Sequence, residues 1–485
     1  MMQTKKTETL IKPKAFEKKL KALFEKNFTE EVESFVPLKG DGSSRRIFRI
    51  KSAAKSVIGI FGPEKLENTA FLEFSKHFKG MNLPVPEIYA EDRSKNIYLE
   101  EDFGDVTLFK YLNSIRPAYD FPEEATKAYK RVIEWLPKFQ TAGRKLNYKY
   151  CYPRKNFDKK SIMWDLNYFK YYFLKLGGID FNEQKLEDDF EVFSDFLLKA
   201  ESDFFLYRDF QSRNIMLKGG KPFFIDYQGG RKGGLQYDIA SLLYDGKADI
   251  PPDTRKELLN HYLDALNKIV KMDRKEFLRY YYPFAYIRIM QAMGAYGLRG
   301  FYEKKTHFLE SIPYAVRNIE YLLHNSEMPV KVPELMRVFK RIAVSSYLRQ
   351  FGDINLRLTI RLQSFSFRNG LPSDDKGHGG GFIFDCRALP NPGRVKKYMT
   401  MTGKEAQIIK FLEKEKEVKK FIDNACALIN QSVKNYQERN FTDLMVSFGC
   451  TGGRHRSVYC AEEIKKRLEK TGNVKIDLKH REIGA

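Results

Sequence analysis

The sequence predicts an α+β two-lobed fold followed by a separate α/β domain with a phosphate-binding loop. Three features of the 485-residue chain lead to this reading. Between Phe204 and Asp226, short apolar runs alternate with acids and an amide on tight turns. Between Leu444 and Val458, an apolar run enters a glycine-rich turn with two arginines and a histidine, then continues at helical spacing. Between the two, Asn325–Val332 and Pro333 form a break. Residues 1–105 are expected to form the small lobe, 106–345 the helical lobe with the catalytic loop, and 346–485 the α/β domain.

The first feature has the layout of a phosphoryl-transfer site. Such a site needs a group to orient and deprotonate the attacking hydroxyl, and hard oxygen ligands to hold Mg²⁺ against nucleotide phosphates. Asp209 suits the first role, and Asn214 and Asp226 suit the second. Ile215–Leu217 and Pro222–Ile225 flank Gly219-Gly220, the pattern of a β-hairpin, which would bring Asn214 back beside Asp226.

This stretch resembles the signature of the aminoglycoside phosphotransferase and choline kinase superfamily, a protein-kinase-like fold. The segment Tyr237-Asp238-Ile239-Ala240 resembles the next helix of that family, with Asp238 expected to cap its start. Gly40-Asp41-Gly42-Ser43-Ser44-Arg45-Arg46 and Leu83-Pro84-Val85-Pro86 are similar to kinases of N-acetylmuramate and N-acetylglucosamine that act on the anomeric hydroxyl. The resemblance implies ATP and Mg²⁺ as cofactors and a small-molecule sugar as acceptor. Two departures stand out: Tyr207 replaces the usual histidine, and the strand Val57–Phe61 has no lysine. Arg45 or Arg46 could supply the missing charge, since guanidinium pairs well with phosphate. Gly40, Gly42, Ser43 and Ser44 read as a cover over the phosphates. Glu100 and Asp102 lie on the expected inter-lobe linker, where a nucleotide base would sit. Glu73 reads as either a helix acid facing the basic group or a solvated residue.

In the second feature, strand, glycine turn and helix N-terminus make an anion site from backbone amides and the helix dipole. Its expected residues are Cys450, Thr451, Gly452, Gly453, Arg454, His455, Arg456 and Ser457. Phe384-Asp385-Cys386-Arg387-Ala388-Leu389-Pro390-Asn391-Pro392 and the terminal His480-Arg481-Glu482 complete a pattern that resembles the C-terminal domain of the RNase adapter protein RapZ. The resemblance adds Arg387, Asn391, His480 and Arg481 to the site and implies a phosphosugar or other anion as ligand. RNA binding and self-association are further properties it implies. Cys450-x5-Arg456-Ser457 also spells the motif of cysteine-dependent phosphatases. Three functions therefore stand open: a sugar kinase with an anion-sensing domain, an RNA-binding adapter with a nucleotide-binding kinase-like half, and a kinase with a second, phosphatase activity.

A net charge of +22 favours anionic partners. Five singly scattered cysteines point to a reducing compartment, and no apolar stretch has membrane-spanning length, so a cytoplasmic location is expected.

Overall fold

The computed structural model describes residues 13–38, 45–116, 121–351, 358–373, 381–438, 441, 443–470 and 474–483. The expected phosphate cover, Gly40, Gly42, Ser43 and Ser44, lies outside the described residues. The chain divides into two compact units, Met1–Tyr302 with Asn325–Val338, and Glu303–His324 with Phe339–Ala485. This division differs from the boundary expected at residue 345. Asp189 Oδ2 accepts from Leu335 N at 2.8 Å and ties the start of the helix Pro333–Val344 to the first unit. The buried Arg349–Glu320 pair, at 2.8 Å, ties residues around 320 to the second.

The first unit opens with helix α1 (Pro13–Phe28) and an antiparallel five-stranded sheet. Its strands are β1 (Ser34–Leu38), β2 (Arg46–Lys51), β3 (Ser56–Phe61), β4 (Ile88–Asp92) and β5 (Ile97–Glu101), in the order β1-β2-β3-β5-β4. Leu20 and Phe24 of α1 bury against Ile50, Val57, Ile97 and Leu99, the alternate positions of the central strands. Helix α2 (Lys65–Gly80) follows β3 and buries Phe71, Phe74 and Phe78.

The remainder of this unit is mostly helical, and its core is rich in aromatic rings. Within it, β6 (Phe204–Leu206) pairs with a later strand, and β7 (Ile215–Lys218) forms a hairpin with β8 (Lys221–Phe224). Gly219 and Gly220 turn that hairpin with φ of 57° and 73°. Two successive left-handed residues match the twist of the flanking strands, a geometry glycine adopts without Cβ strain. Strand β9 (Arg231–Gly233) is the partner of β6. Tyr280, Tyr281 and Tyr286 of the long helix Arg274–Tyr296 are buried as core.

The second unit holds a parallel four-stranded sheet of β10 (Leu358–Ser366), β11 (Gly381–Asp385), β12 (Asp443–Cys450) and β13 (Val474–His480). The order is β11-β12-β10-β13, with every pairing parallel. β10 connects to one side and β12 to the other, so the direction of winding switches between them. Ligands of open α/β sheets bind at the carboxyl ends beside such a switch.

Candidate functional site

Asp209 sits on the loop between β6 and β7. Arg208, just before it, has φ of 80°, a strained value that the surroundings must hold. Asp165 does so through two charge-assisted bonds to the Arg208 guanidinium, at 2.7 and 2.5 Å. Asp238 does so from below, accepting from Tyr207 N at 2.8 Å and Arg208 N at 3.0 Å. Asp238 therefore does not cap the helix Gln236–Leu243, which has no side-chain cap; its carboxylate braces the catalytic loop instead. Burial pushes Asp238 up to about 7 despite those two donors.

Tyr207, in place of the family's histidine, is 1% exposed and donates its hydroxyl to Ile225 O at 2.6 Å. That bond ties the catalytic loop to the residue before Asp226. The hairpin register sets Ile215 opposite Phe224, and Ile225 N donates to Asn214 O at 3.1 Å. As a result Asn214 Nδ2 reaches both Asp209 O, at 2.9 Å, and Asp226 Oδ2, at 3.1 Å. Asp226 takes φ of 68°, and its other oxygen accepts from Gln228 Nε2 at 2.7 Å. Sequence reasoning missed Gln228; its position two residues after Asp226 was the available signal.

Burial raises the Asp209 carboxyl above the ordinary carboxylate range, and the nearby Asp226 adds to this. Arg288, Arg208 and Arg231 pull it back. A carboxylate raised in this way binds a proton more readily.

The donor set suits a hard divalent ion. Asn214 and Gln228 both turn their NH₂ groups toward Asp226, and Gln228 Oε1 is buried without a hydrogen-bond partner. Oxygen ligands of this kind are what Mg²⁺ takes.

On the opposite wall, β3 has no lysine and Arg45 brings the charge. Its side chain is 8% exposed, lies 3.3 Å from Glu67 of α2 and stands over the Phe71 ring at 5.6 Å. Burial opposes that charge, but Tyr98, Glu67, Asp226 and Glu100 outweigh it and raise the Arg45 pKa. Arg46 is exposed, as strand alternation requires. Glu67 is thus the helix acid that meets the basic group, while Glu73 pairs with Arg93 at 2.5 Å. Glu100 is buried with Oε2 unpartnered, and burial pushes it up to about 8 against the pull of Arg45. Asp102 is held by Arg49 at 2.8 and 3.0 Å and by Ser56 Oγ at 2.6 Å, which fixes the chain just after β5.

In the second unit the residues named from sequence gather at the carboxyl ends of β10–β13. Gly453 has φ of 67°, and a Cβ there would lie 2.8 Å from Ser366 N, so only glycine fits. Arg456 is 4% exposed and donates Nη1 to Arg387 O at 2.7 Å and Leu389 O at 2.9 Å. His455 Nε2 donates to Tyr398 O at 3.0 Å, and His480 bridges Ser364 Oγ (2.8 Å) and Glu462 Oε1 (3.1 Å). Asn391 Oδ1 accepts from Gly393 N at 3.1 Å. Arg387 pairs with Asp385 and stacks 3.9 Å from the Phe367 ring centroid. Thr451, Gly452, Arg454 and Arg481 remain exposed at the rim.

Cys450 is 3% exposed, with Sγ 3.2 Å from Ser457 Oγ. Burial pushes its thiol up, but Ser457, Arg456 and the Gly453 amide outweigh that and hold it below the ordinary value. The Arg456 guanidinium grips backbone carbonyls through Nη1 and reaches Thr451 Oγ1 through Nη2 at 3.5 Å.

Comparison with known proteins agrees with this division. Residues 34–274 match the family model described as phosphotransferase enzyme family, and residues 358–484 match the RapZ C-terminal domain. The chain thus carries a phosphotransferase-family match in its first unit and a RapZ C-terminal match in its second. A nucleotide-binding protein of Saccharophagus degradans is 36% identical over 150 residues, 31% of this chain and 47% of its own. One of Acidobacterium capsulatum is 31% identical over 202 residues, covering 40% of this chain and 64% of its own. The chain spans about half the length of most of these curated relatives. Among solved structures, choline kinase LicA from Streptococcus pneumoniae has TM-score 0.43 and 15% identity, covering 68% of this chain and 100% of that one. A Plasmodium vivax ethanolamine kinase has TM-score 0.44 and 15% identity, covering 59% and 81%. No helix among the described residues is long and apolar enough to cross a membrane.

Proposed function

We propose that the chain transfers the γ-phosphoryl group of ATP to a hydroxyl of an amino sugar, at the anomeric position. The observation that carries this reading is Asn214, whose one amide links Asp209 O and Asp226 Oδ2. Asp209 orients the acceptor hydroxyl and takes its proton as the oxygen attacks phosphorus. Asn214 and Asp226, with Gln228 behind them, would hold Mg²⁺, which neutralises phosphate charge when bound. Arg45, anchored by Glu67, faces the nucleotide phosphates, and Glu100 and Asp102 lie where the base enters. The RapZ C-terminal domain binds a phosphosugar or related anion at the Thr451–Arg454 rim and the amino end of the helix Arg456–Glu469.

ADP release with Mg-ATP and a panel of N-acetylmuramate, N-acetylglucosamine, aminoglycosides and choline tests the reading. Turnover on an amino sugar with matching loss of its reducing end supports anomeric transfer. Turnover with the reducing end intact moves the reaction to another hydroxyl. Turnover confined to choline or aminoglycosides overturns the sugar assignment.

A further inference from the structure

Buried cations in this chain are generally matched by a carboxylate. Lys170 lies against Glu183 at 2.9 Å and against Glu187, Arg349 against Glu320 at 2.8 Å, and Arg208 against Asp165 at 2.5 Å. Arg231 and Arg288, like Arg456 of the second unit, break this pattern, and these two act on Asp209. Arg231, 6% exposed, donates Nε to Gly229 O at 3.1 Å and Nη1 to Ser161 Oγ at 3.4 Å. Arg288, 8% exposed, donates Nε to Ser241 Oγ at 2.8 Å and Nη1 to Gln291 Oε1 at 2.9 Å. Among the described residues neither forms an ion pair with a carboxylate, Asp209 included. A guanidinium withdrawn from water without a paired carboxylate is costly, and an anionic ligand would supply the missing charge.

Both charges lie beside Asp209. A Cβ on Gly229 would stand 3.8 Å from Asp209 Oδ2, so the carbonyl that holds Arg231 belongs to the wall of the catalytic loop. Tyr237 is 0% exposed, its hydroxyl has no partner, and its ring lies 5.3 Å from the Arg208 guanidinium. The Tyr237 hydroxyl feels Arg208, Asp165, Arg288 and Asp209 together. Burial, then repulsion from Arg208, lowers Arg231 to about 10, although Asp165, Tyr237 and Asp209 favour its charge.

We propose that Arg231 and Arg288, with the Tyr237 hydroxyl, form a subsite for a carboxylate or phosphate group carried by the acceptor. The inference rests on the phosphotransferase reading and narrows its substrate class: the acceptor is an anionic sugar. A cationic acceptor would set its charge against two unpaired arginines.

The test uses the full-length protein and acceptors matched but for the charge: N-acetylmuramate against N-acetylglucosamine, glucuronate against glucose, and glucose 6-phosphate against glucose. The acidic member is expected to have the higher kcat/KM by about tenfold or more, the scale of one charge-assisted hydrogen bond. Arg288→Gln and Arg231→Gln should bring that ratio toward one, and Arg288→Lys should restore part of it. The two acid types separate a carboxylate site from a phosphate site. Turnover with equal preference, or preference for the neutral member, overturns the subsite and leaves the kinase intact. No turnover on any sugar overturns the kinase reading, and calorimetric titration of the same acids then decides on the subsite. Binding lost in Arg288→Gln at unchanged Tm upholds it; no binding to wild type, or equal binding to the variant, overturns it.

Discussion

The catalytic loop around Asp209 and the glycine loop after β12 are both charged residues on turns at strand ends, but they use those charges differently. Around Asp209, the supporting bonds come from residues set behind the loop: Asp165, Asp238, Tyr207 and Gln228. Valences nearby are left unfilled, as with Gln228 Oε1 and Glu100 Oε2. In the glycine loop, the conspicuous side chains do the bracing themselves. Arg456, His455 and His480 are engaged with carbonyls, a hydroxyl and Glu462, and the exposed rim and backbone amides are left to meet a ligand. A charged residue in a motif is a ligand group only where some other residue holds the loop.

The largest effect that would break this contrast is on turnover. Asp226→Asn removes the carboxylate that Asn214 and Gln228 hold in place, and turnover should fall by roughly 10³-fold with Tm unchanged. A loss below tenfold would mean that the constellation is scaffold as well. Next is a pair in the second unit. Arg456→Ala leaves two buried carbonyls without donors and should cost that unit about 3 kcal/mol, read by denaturant unfolding. Arg454→Ala should leave stability unchanged and weaken binding of glucosamine 6-phosphate several-fold. The reverse order would make Arg456 the ligand group.

A smaller effect follows from Tyr207→Phe. Loss of one hydrogen bond to Ile225 O should cost about 1 kcal/mol and lower kcat more than it changes the acceptor KM. An effect on KM alone would place Tyr207 in the acceptor pocket instead of behind the loop. The last is a pH effect. Glu100 titrates near 8 in the folded chain against an ordinary 4.5, so between those values the folded state holds a proton that the unfolded state has lost. Stability from this group is therefore full below pH 4.5 and falls as pH rises to about 8. Glu100→Gln should raise Tm at pH 9 more than at pH 5, and equal shifts would contradict the burial argument.

The catalytic run was legible because its chemistry is local: Asp209, Asn214, the Gly219-Gly220 turn and Asp226 lie within one hairpin and its entry. The parts that were not legible depend on chain segments far apart. The sequence reading of α2 named only Glu73, and tertiary packing instead brings Glu67 to Arg45 and sets Glu73 against Arg93. Asp238 stands at a helix start, where capping is the local expectation, but tertiary packing gives its carboxylate the amides of Tyr207 and Arg208. Arg456 belongs to a motif that suggests anion contact, yet its neighbours in space are carbonyls from a loop near residue 388. Arg231 and Arg288 come from a strand and a distant helix, and no sequence window holds both.

The most direct test of the central claim is transfer of γ-labelled phosphate from ATP to N-acetylmuramate by wild-type protein and by Asp209→Asn, with nucleotide affinity and Tm measured alongside. The arrangement of Asp209, Asn214 and Asp226 predicts labelled sugar from wild type and at least a 100-fold slower transfer from the variant, with folding and ATP binding retained. Equal transfer by the two proteins would contradict it.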